Sequence, residues 1–224
     1  NSEPLIHSFV CYENTYKPIN GSYCPLNDAH YFGNLIHDLY VEWLGSPPLP
    51  FPIVLGVHYG NSFENAFWNG TEAVFGDGAY YFYPLVGLNV IAHEIAHGFT
   101  EQHSNLVYNG ESAAINEAFS DMAGEAAEYY HKGSNDFLIG HDVWKGPGAF
   151  RYMEDPPKDG WSIDSVHDYF DGLPPHYSAG VYNKAFYTLA TMPGWNTKMA
   201  FEVFADANRY YWEPLTDFAN GAQG

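Results

Sequence analysis

Residues 93–97 read His-Glu-Ile-Ala-His inside an apolar run, with Val90, Ile91 and Ala92 before them and Phe99 after. The run has the period of a helix, so the two imidazoles share one face with a carboxylate beside them. That spacing offers two nitrogen ligands to one cation without the ordering of a loop. The plainer alternative is a pair of core histidines satisfied by hydrogen bonds.

The next helical segment, Ala113 to His131, supports the metal reading. Glu117, Asp121, Glu125 and Glu128 recur at spacings of four, four and three, which puts them on one stripe roughly 16 Å long. Such a stripe is ordinarily a solvated face. Here it is flanked by Ala118, Phe119, Met122, Ala123, Ala126 and Ala127, residues suited to close packing. Cations would relieve the repulsion: zinc at the Glu117 end and calcium at the other, where hard oxygen donors suit it. Glu117 is then the third zinc ligand beside His93 and His97, with the fourth position left for water. Asp121 is placed to fix the tautomer of His93, and Asn116 to do the same for His97. Glu94 would take the water proton and hand it to a leaving amine. Tyr108 and His176 are candidate oxyanion donors, although spacing alone does not separate them from core or surface residues.

The 27 acidic against 8 basic residues give a formal charge of −19, which argues against nucleic acid or an anionic membrane surface as partner. Of the 224 residues, 46% are hydrophobic and 18% aromatic, enough for a sizeable core. No apolar run of about 18 residues occurs. The opening NSEPLIHSF has neither an initiator Met nor a signal-peptide pattern, and reads as a processed or trimmed piece of a longer chain. Cys11 and Cys24 are the only cysteines and read either as two buried thiols or as a disulfide closing a short loop.

Residues 1–26 read as irregular. A helix capped by Asn27 or Asp28 then carries Phe32, Leu35, Ile36, Leu39, Tyr40 and Trp43 on one face and ends at Gly45. Strands are expected over Ile53–Tyr59, Glu72–Phe75 and Ala79–Tyr83. Helices follow over Val90–His103, Ala113–His131, Gly180–Thr191 and Lys198–Arg209. The stretch Gly133–Tyr177 is too long for an idle connection and is a candidate for functional loops.

The segment HEIAHGFTEQHSNLVYNGESAAINEAFSDMAGE at 93–125 resembles the thermolysin family, and most of all its vibriolysin and pseudolysin branch. The likeness continues through NTYKPINGSYCPLNDAHYFG at 14–33, ENAFWNGTEAVFGDG at 64–78, and NDFLIG, RYMEDP, HYSAGVYNKAFY and AFEVFADANRYYW downstream. It implies an α+β, thermolysin-like zincin fold. Residues 1–87 would form a sheet-rich subdomain lacking its first strands, and 88–224 a helical subdomain lacking its last helix, with the His93–His97 helix in the cleft between them.

The resemblance implies a secreted, monomeric zinc endopeptidase acting on peptides and proteins, with one zinc on His93, His97 and Glu117 and Glu94 as base. Tyr108 and His176 become transition-state donors, with Asp171 orienting His176. Asn65 and the Ala66 backbone would hold substrate as an added strand, and Arg151 would bind a substrate carbonyl. Leu85, Val90, Val143 and Phe150 would line an apolar pocket for the residue after the cut; Phe150, where relatives carry Leu, would shrink it in favour of Leu over Phe. One calcium would lie on Glu125, Glu128, Asp136 and the Leu138 carbonyl, bound less tightly because Asn89 stands where relatives have Asp. The rivals are a non-catalytic zinc- and calcium-binding relative and an exopeptidase. Glu94, Tyr108 and His176 weigh against the first, and the lack of any device for a free chain terminus weighs against the second.

Overall fold

The computed structural model describes residues 24–223. Cys11, and with it any pairing to the buried Cys24, lies outside them, as does all but the end of the expected irregular segment.

The first helix, α1 (Pro25–Leu44), starts earlier than expected. Cys24 is its N-cap and Pro25 its first residue, where the fixed φ of proline suits a helix and its missing N–H costs nothing. Asn27 and Asp28 therefore lie inside the first turn and do not cap it. Gly45 ends α1 at φ +77° and returns its N–H to the Val41 carbonyl at 3.1 Å.

Three short strands follow, β1 (Leu55–Tyr59), β2 (Ala66–Trp68) and β3 (Ala73–Gly76), in the order β1-β3-β2. β3 is buried at every residue, parallel to β1 and antiparallel to β2. The turn from β2 to β3 is held by Asn69, whose Oδ1 accepts from the Thr71 and Glu72 N–H groups at 3.0 Å each. Among the described residues β2 pairs on one side only, so the sheet presents an edge there. The strand expected over Ala79–Tyr83 does not form. The N–H groups of Tyr80, Tyr81 and Phe82 instead donate to the Glu64 carboxylate, so the backbone is satisfied without a ladder.

The centre of the molecule is a pair of helices, α2 (Leu88–Gln102) and α3 (Gly110–Lys132). α3 is buried without a break from Ser112 to Glu128. The residues read as suited to close packing, Ala118, Phe119, Met122, Ala123, Ala126 and Ala127, are all buried, and a Cβ on Gly124 would stand 3.1 Å from the Asn89 carbonyl oxygen. Beyond α3, β4 (Leu138–Ile139) pairs antiparallel with β5 (Arg151–Tyr152) inside the long stretch read as functional loops. The remaining helices are α4 (Pro175–Ser178), α5 (Gly180–Ala190), α6 (Thr197–Tyr210) and α7 (Phe218–Gly221). None among the described residues is long and apolar enough to cross a membrane.

An aromatic stack ties the layers together: Tyr40 of α1 meets Phe99 of α2 at 5.2 Å, Phe99 meets Phe119 of α3 at 5.5 Å, and Phe119 meets Phe201 of α6 at 5.8 Å. Phe119 is fully buried at the middle of this stack. We expect Phe119→Ala to cost about 3–5 kcal/mol through lost contacts and a residual cavity. Urea denaturation checks this, and a loss below about 1 kcal/mol would show that the stack does not tie the layers.

Candidate active site and metal centres

Helices α2 and α3 meet antiparallel in a register of about one turn. Asn89 faces Glu125, His93 faces Asp121, and His97 faces Asn116, through contacts of 3.3, 2.9 and 2.8 Å. Steps of four residues on α2, and of four and five on α3, make the three contacts repeat about once per turn. His93 Nδ1 meets the Asp121 carboxylate, which only accepts, so Nδ1 carries the proton and Nε2 presents a lone pair. His97 Nδ1 meets Asn116 Oδ1, with Ser120 Oγ at 3.2 Å, which leaves its Nε2 bare in the same way.

The two Nε2 atoms are 3.1 Å apart, and the Glu117 carboxylate lies 3.3 Å from one and 3.5 Å from the other. Two nitrogens at that distance need a proton or a metal ion between them. Donors about 2.0–2.1 Å from a tetrahedral zinc stand roughly 3.3–3.4 Å from one another, so this set fits zinc. Glu117 Oε2 is buried and takes no hydrogen bond from the described residues, although His176 Nε2 approaches to 3.1 Å. His176 is thus a fourth group within reach of the same centre. It is half exposed and on the short α4, whereas His97 is held at its far nitrogen, so the His93, His97 and Glu117 set is better fixed. Without a metal, burial works against a charged His93, yet the Asp121 and Glu117 carboxylates outweigh it and raise its pKa to about 10, so Nε2 holds a proton at neutral pH that a bound metal ion would displace.

Asp121 is fully buried and carries more than the role read for it. Its oxygens accept from His93 Nδ1, from Arg151 Nε at 2.9 Å and Nη2 at 2.5 Å, and from Asn183 Nδ2 at 2.8 Å. Burial alone would raise its pKa, but Arg151 and His93 hold it well below the usual carboxylate range. Arg151 arrives from β5 and Asn183 from α5. Spacing gave no signal for either partnership, because both are far from Asp121 in the chain. Arg151 spends two of its five N–H donors on Asp121 and is among the residues that line the cleft.

The cleft, about 530 Å³, runs along α2. Leu85, Val90, Val143 and Phe150 line it as expected, joined by Phe82 and Ile139, which the sequence reading did not include. Phe82 packs edge-on against Phe150 with centroids 5.3 Å apart, so two rings narrow this end. Asn65 and Ala66 line the side formed by the edge strand β2. Glu94 is buried at the floor and takes no hydrogen bond among the described residues; burial raises its pKa. The Tyr108 hydroxyl donates to Glu117 Oε1, and burial raises the phenol pKa, which keeps it a donor. The structure does not bring Asp171 to His176: it is exposed in a turn and makes no hydrogen bond to that ring among the described residues.

At the far end of the α2–α3 pair, carboxylate oxygens of Glu125, Glu128 and Asp136 lie within 4.8 Å of one another. Burial, with the Glu128 and Asp136 charges adding to it, raises Glu125 to about 8. Asn89 turns its amide nitrogen, a donor, toward Glu125 Oε1 at 3.3 Å, and so presents no ligand oxygen there. Lys132 covers Glu128 at 2.5 Å. Leu138 N–H donates to Asp136 Oδ1 at 2.9 Å, which ties the backbone bearing its carbonyl to the cluster.

A two-histidine, one-carboxylate centre on paired helices, beside a buried glutamate in a cleft, defines a zincin-type protein. The profile of the thermolysin metallopeptidase catalytic domain matches residues 7–101, and that of the thermolysin metallopeptidase α-helical domain matches residues 104–224. The chain belongs to the thermolysin metallopeptidase family. It is 53% identical over 222 residues to the neutral protease of Vibrio proteolyticus, covering 97% of this chain and 36% of that protein. It is 49% identical over 218 residues to a zinc metalloproteinase of Legionella pneumophila, covering 93% of this chain and 40% of that protein. Among solved structures, the precursor of protealysin, a metalloproteinase from Serratia proteamaculans, superposes with a TM-score of 0.81 at 28% identity, covering 89% of this chain and 70% of that one. The chain therefore spans little more than a third of the length of the curated relatives it matches.

The Asp121 contacts yield a test that needs no metal. In Asp121→Asn the shape is kept, but the buried Arg151 loses its counter-charge, which should cost about 3–5 kcal/mol in urea melts of zinc-free protein. Stability equal to the parent would show that Arg151 is balanced elsewhere.

Proposed function

We propose that this chain is the catalytic part of a secreted, monomeric zinc endopeptidase that cuts peptide bonds on the N-terminal side of bulky hydrophobic residues. The observation that carries the reading is the convergence of the bare Nε2 atoms of His93 and His97 on the Glu117 carboxylate, with Glu94 beside them. Residues 1–87 and 88–224 are taken as the two lobes of the cleft. A zinc ion on His93, His97 and Glu117 would supply a Lewis acid that brings the pKa of water down to about 7 and polarises the scissile carbonyl.

Asn65 and the Ala66 backbone hold the substrate as a strand added to β2, which pairs on one side only among the described residues and lines the cleft. The side chain after the cut enters the pocket of Leu85, Val90, Val143 and Phe150, which the Phe82–Phe150 contact narrows, so Leu is favoured over Phe there. Glu94 takes a proton from the attacking water and passes it to the leaving amine; its burial and raised pKa suit both transfers. Tyr108 and His176 donate to the oxygen on which charge develops, both lying against Glu117. The donors of Arg151 not used by Asp121 bind a substrate carbonyl. Asp171, exposed and without a hydrogen bond to His176 among the described residues, has no support in the geometry as its orienting group.

We further propose one calcium at Glu125, Glu128, Asp136 and the Leu138 carbonyl. Three close carboxylates with one pKa raised to about 8 favour a cation there, and the donor of Asn89 weakens it. Asn89→Asp should tighten calcium roughly tenfold, read as the calcium concentration that raises the melting temperature; an unchanged midpoint would remove residue 89 from the site.

The reading is tested with a peptide containing an internal Gly-Leu bond, the cut being located by mass spectrometry before and after phenanthroline and after zinc is restored. A cut before Leu that vanishes and returns with zinc is expected. No cut from folded, zinc-loaded protein would favour a non-catalytic relative. Glu94→Ala should keep its zinc and lose at least about 10²–10⁴-fold in turnover, whereas full turnover would place the base elsewhere.

A further inference from the structure

The end of the cleft away from the apolar pocket is built differently. Helix α2 carries His93, His97 and Glu101 at successive four-residue steps, and all three line the cleft. Glu101 Oε2 accepts the indole N–H of Trp68, on the edge strand β2, at 2.7 Å. That approach depends on Gly98, where a Cβ would stand 2.9 Å from the Trp68 ring and 2.8 Å from Leu49. Phe51 stacks on Trp68 at 6.4 Å and holds the indole in place. The second oxygen of Glu101 carries no hydrogen bond among the described residues, and Glu101 is exposed. An indole fixed beside a solvent-facing carboxylate is a recognition element for an ammonium or guanidinium group.

We propose that Trp68 and Glu101 form a subsite for a Lys or Arg side chain of the substrate, two or three residues before the cut. The inference rests on the endopeptidase reading above and narrows its substrate class to peptides with a basic residue on that side. The position follows from the geometry. The apolar pocket gathers at the Val90 end of α2 and Glu101 lies at the opposite end, so a chain whose residue after the cut fills the pocket runs its preceding residues toward Glu101. The seven residues from Glu94 to Glu101 rise about 10 Å, which an extended substrate covers in about three residues. No cation of the protein pairs with Glu101 among the described residues, and the formal charge of −19 strengthens attraction for a basic peptide.

The test uses three quenched peptides sharing one Gly-Leu core, with Lys, norleucine or Glu at the second and third positions before the cut. The protein should show a kcat/KM for the Lys peptide roughly three- to tenfold above that for norleucine, with Glu lowest, and the margin should shrink with added salt. Glu101→Gln keeps an acceptor for Trp68 but removes the charge; it should bring the kcat/KM values for the Lys and norleucine peptides within twofold of each other. Equal rates for Lys and norleucine in the parent, or a preference that survives Glu101→Gln, overturns the proposal. If no peptide is cut, the endopeptidase reading fails, and a binding measurement decides the subsite separately. In zinc-loaded protein the Trp68 indole N–H resonance, assigned with Trp68→Phe, should shift saturably with the Lys peptide and not with norleucine, and an unmoved resonance would overturn it.

Discussion

Asp121 has no accessible surface, yet its carboxylate is charged, because every direction from which water would solvate it is filled by a donor: His93, Asn183 and two N–H groups of Arg151. A buried carboxylate with one such partner would be a liability; with four donors it becomes a fixed point on which separate elements of the chain agree. α2 reaches it through His93, β5 through Arg151 and α5 through Asn183. Tautomer control at His93 is then one consequence of a wider constraint. The same group that aims a ring also anchors the loop strand and the helix that close the cleft.

That fixed point works because α2 and α3 sit in a register that repeats once per turn. Backbones this close require small residues on the facing sides, and Gly124 against Asn89 is one such place. With the helices antiparallel, residues 89, 93 and 97 of one meet 125, 121 and 116 of the other. A shift of one residue on either helix would break all three contacts together. Gly98 adds a second close approach on the outer side of α2, where the absence of a Cβ lets Trp68 lie against the helix and brings the edge strand over the cleft floor.

Much of this was legible in the sequence, for identifiable reasons. The α1, α2 and α3 helices announce themselves by period, and the proposed metal donors by spacing within one helix or between two consecutive ones. The partnership of Asp121 with Arg151 and Asn183 was not legible, since contacts 30 and 62 residues apart leave no local trace. Strand β2 is three residues long, too short to show alternation, and was expected only as a place where substrate pairs. The apolar-aromatic run at 79–83 looked like a strand, but Glu64 supplies the acceptors that a neighbouring strand would have given. The start of α1 went to Pro25 because a proline at the first helical position competes with a side-chain cap two or three residues later.

The acidic stripe of α3 shows how one pattern can be resolved in three ways along a single helix. Asp121 is neutralised from within by Arg151 and needs no added cation. Glu117 is surrounded by imidazoles, which hold its pKa well below the carboxylate range against the pull of burial, so the proposed zinc would enter a site already charged and oriented for it. Glu125 is fully buried with no basic partner among the described residues, and burial leaves it at about 8, close to a proton's edge at neutral pH. Dependence on a cation is therefore graded along the helix. It is least at the residue that fixes the architecture and greatest at the end farthest from the proposed chemistry. The histidine donors of the proposed zinc site are held by Asp121 and Asn116, apart from the carboxylates of the proposed calcium end.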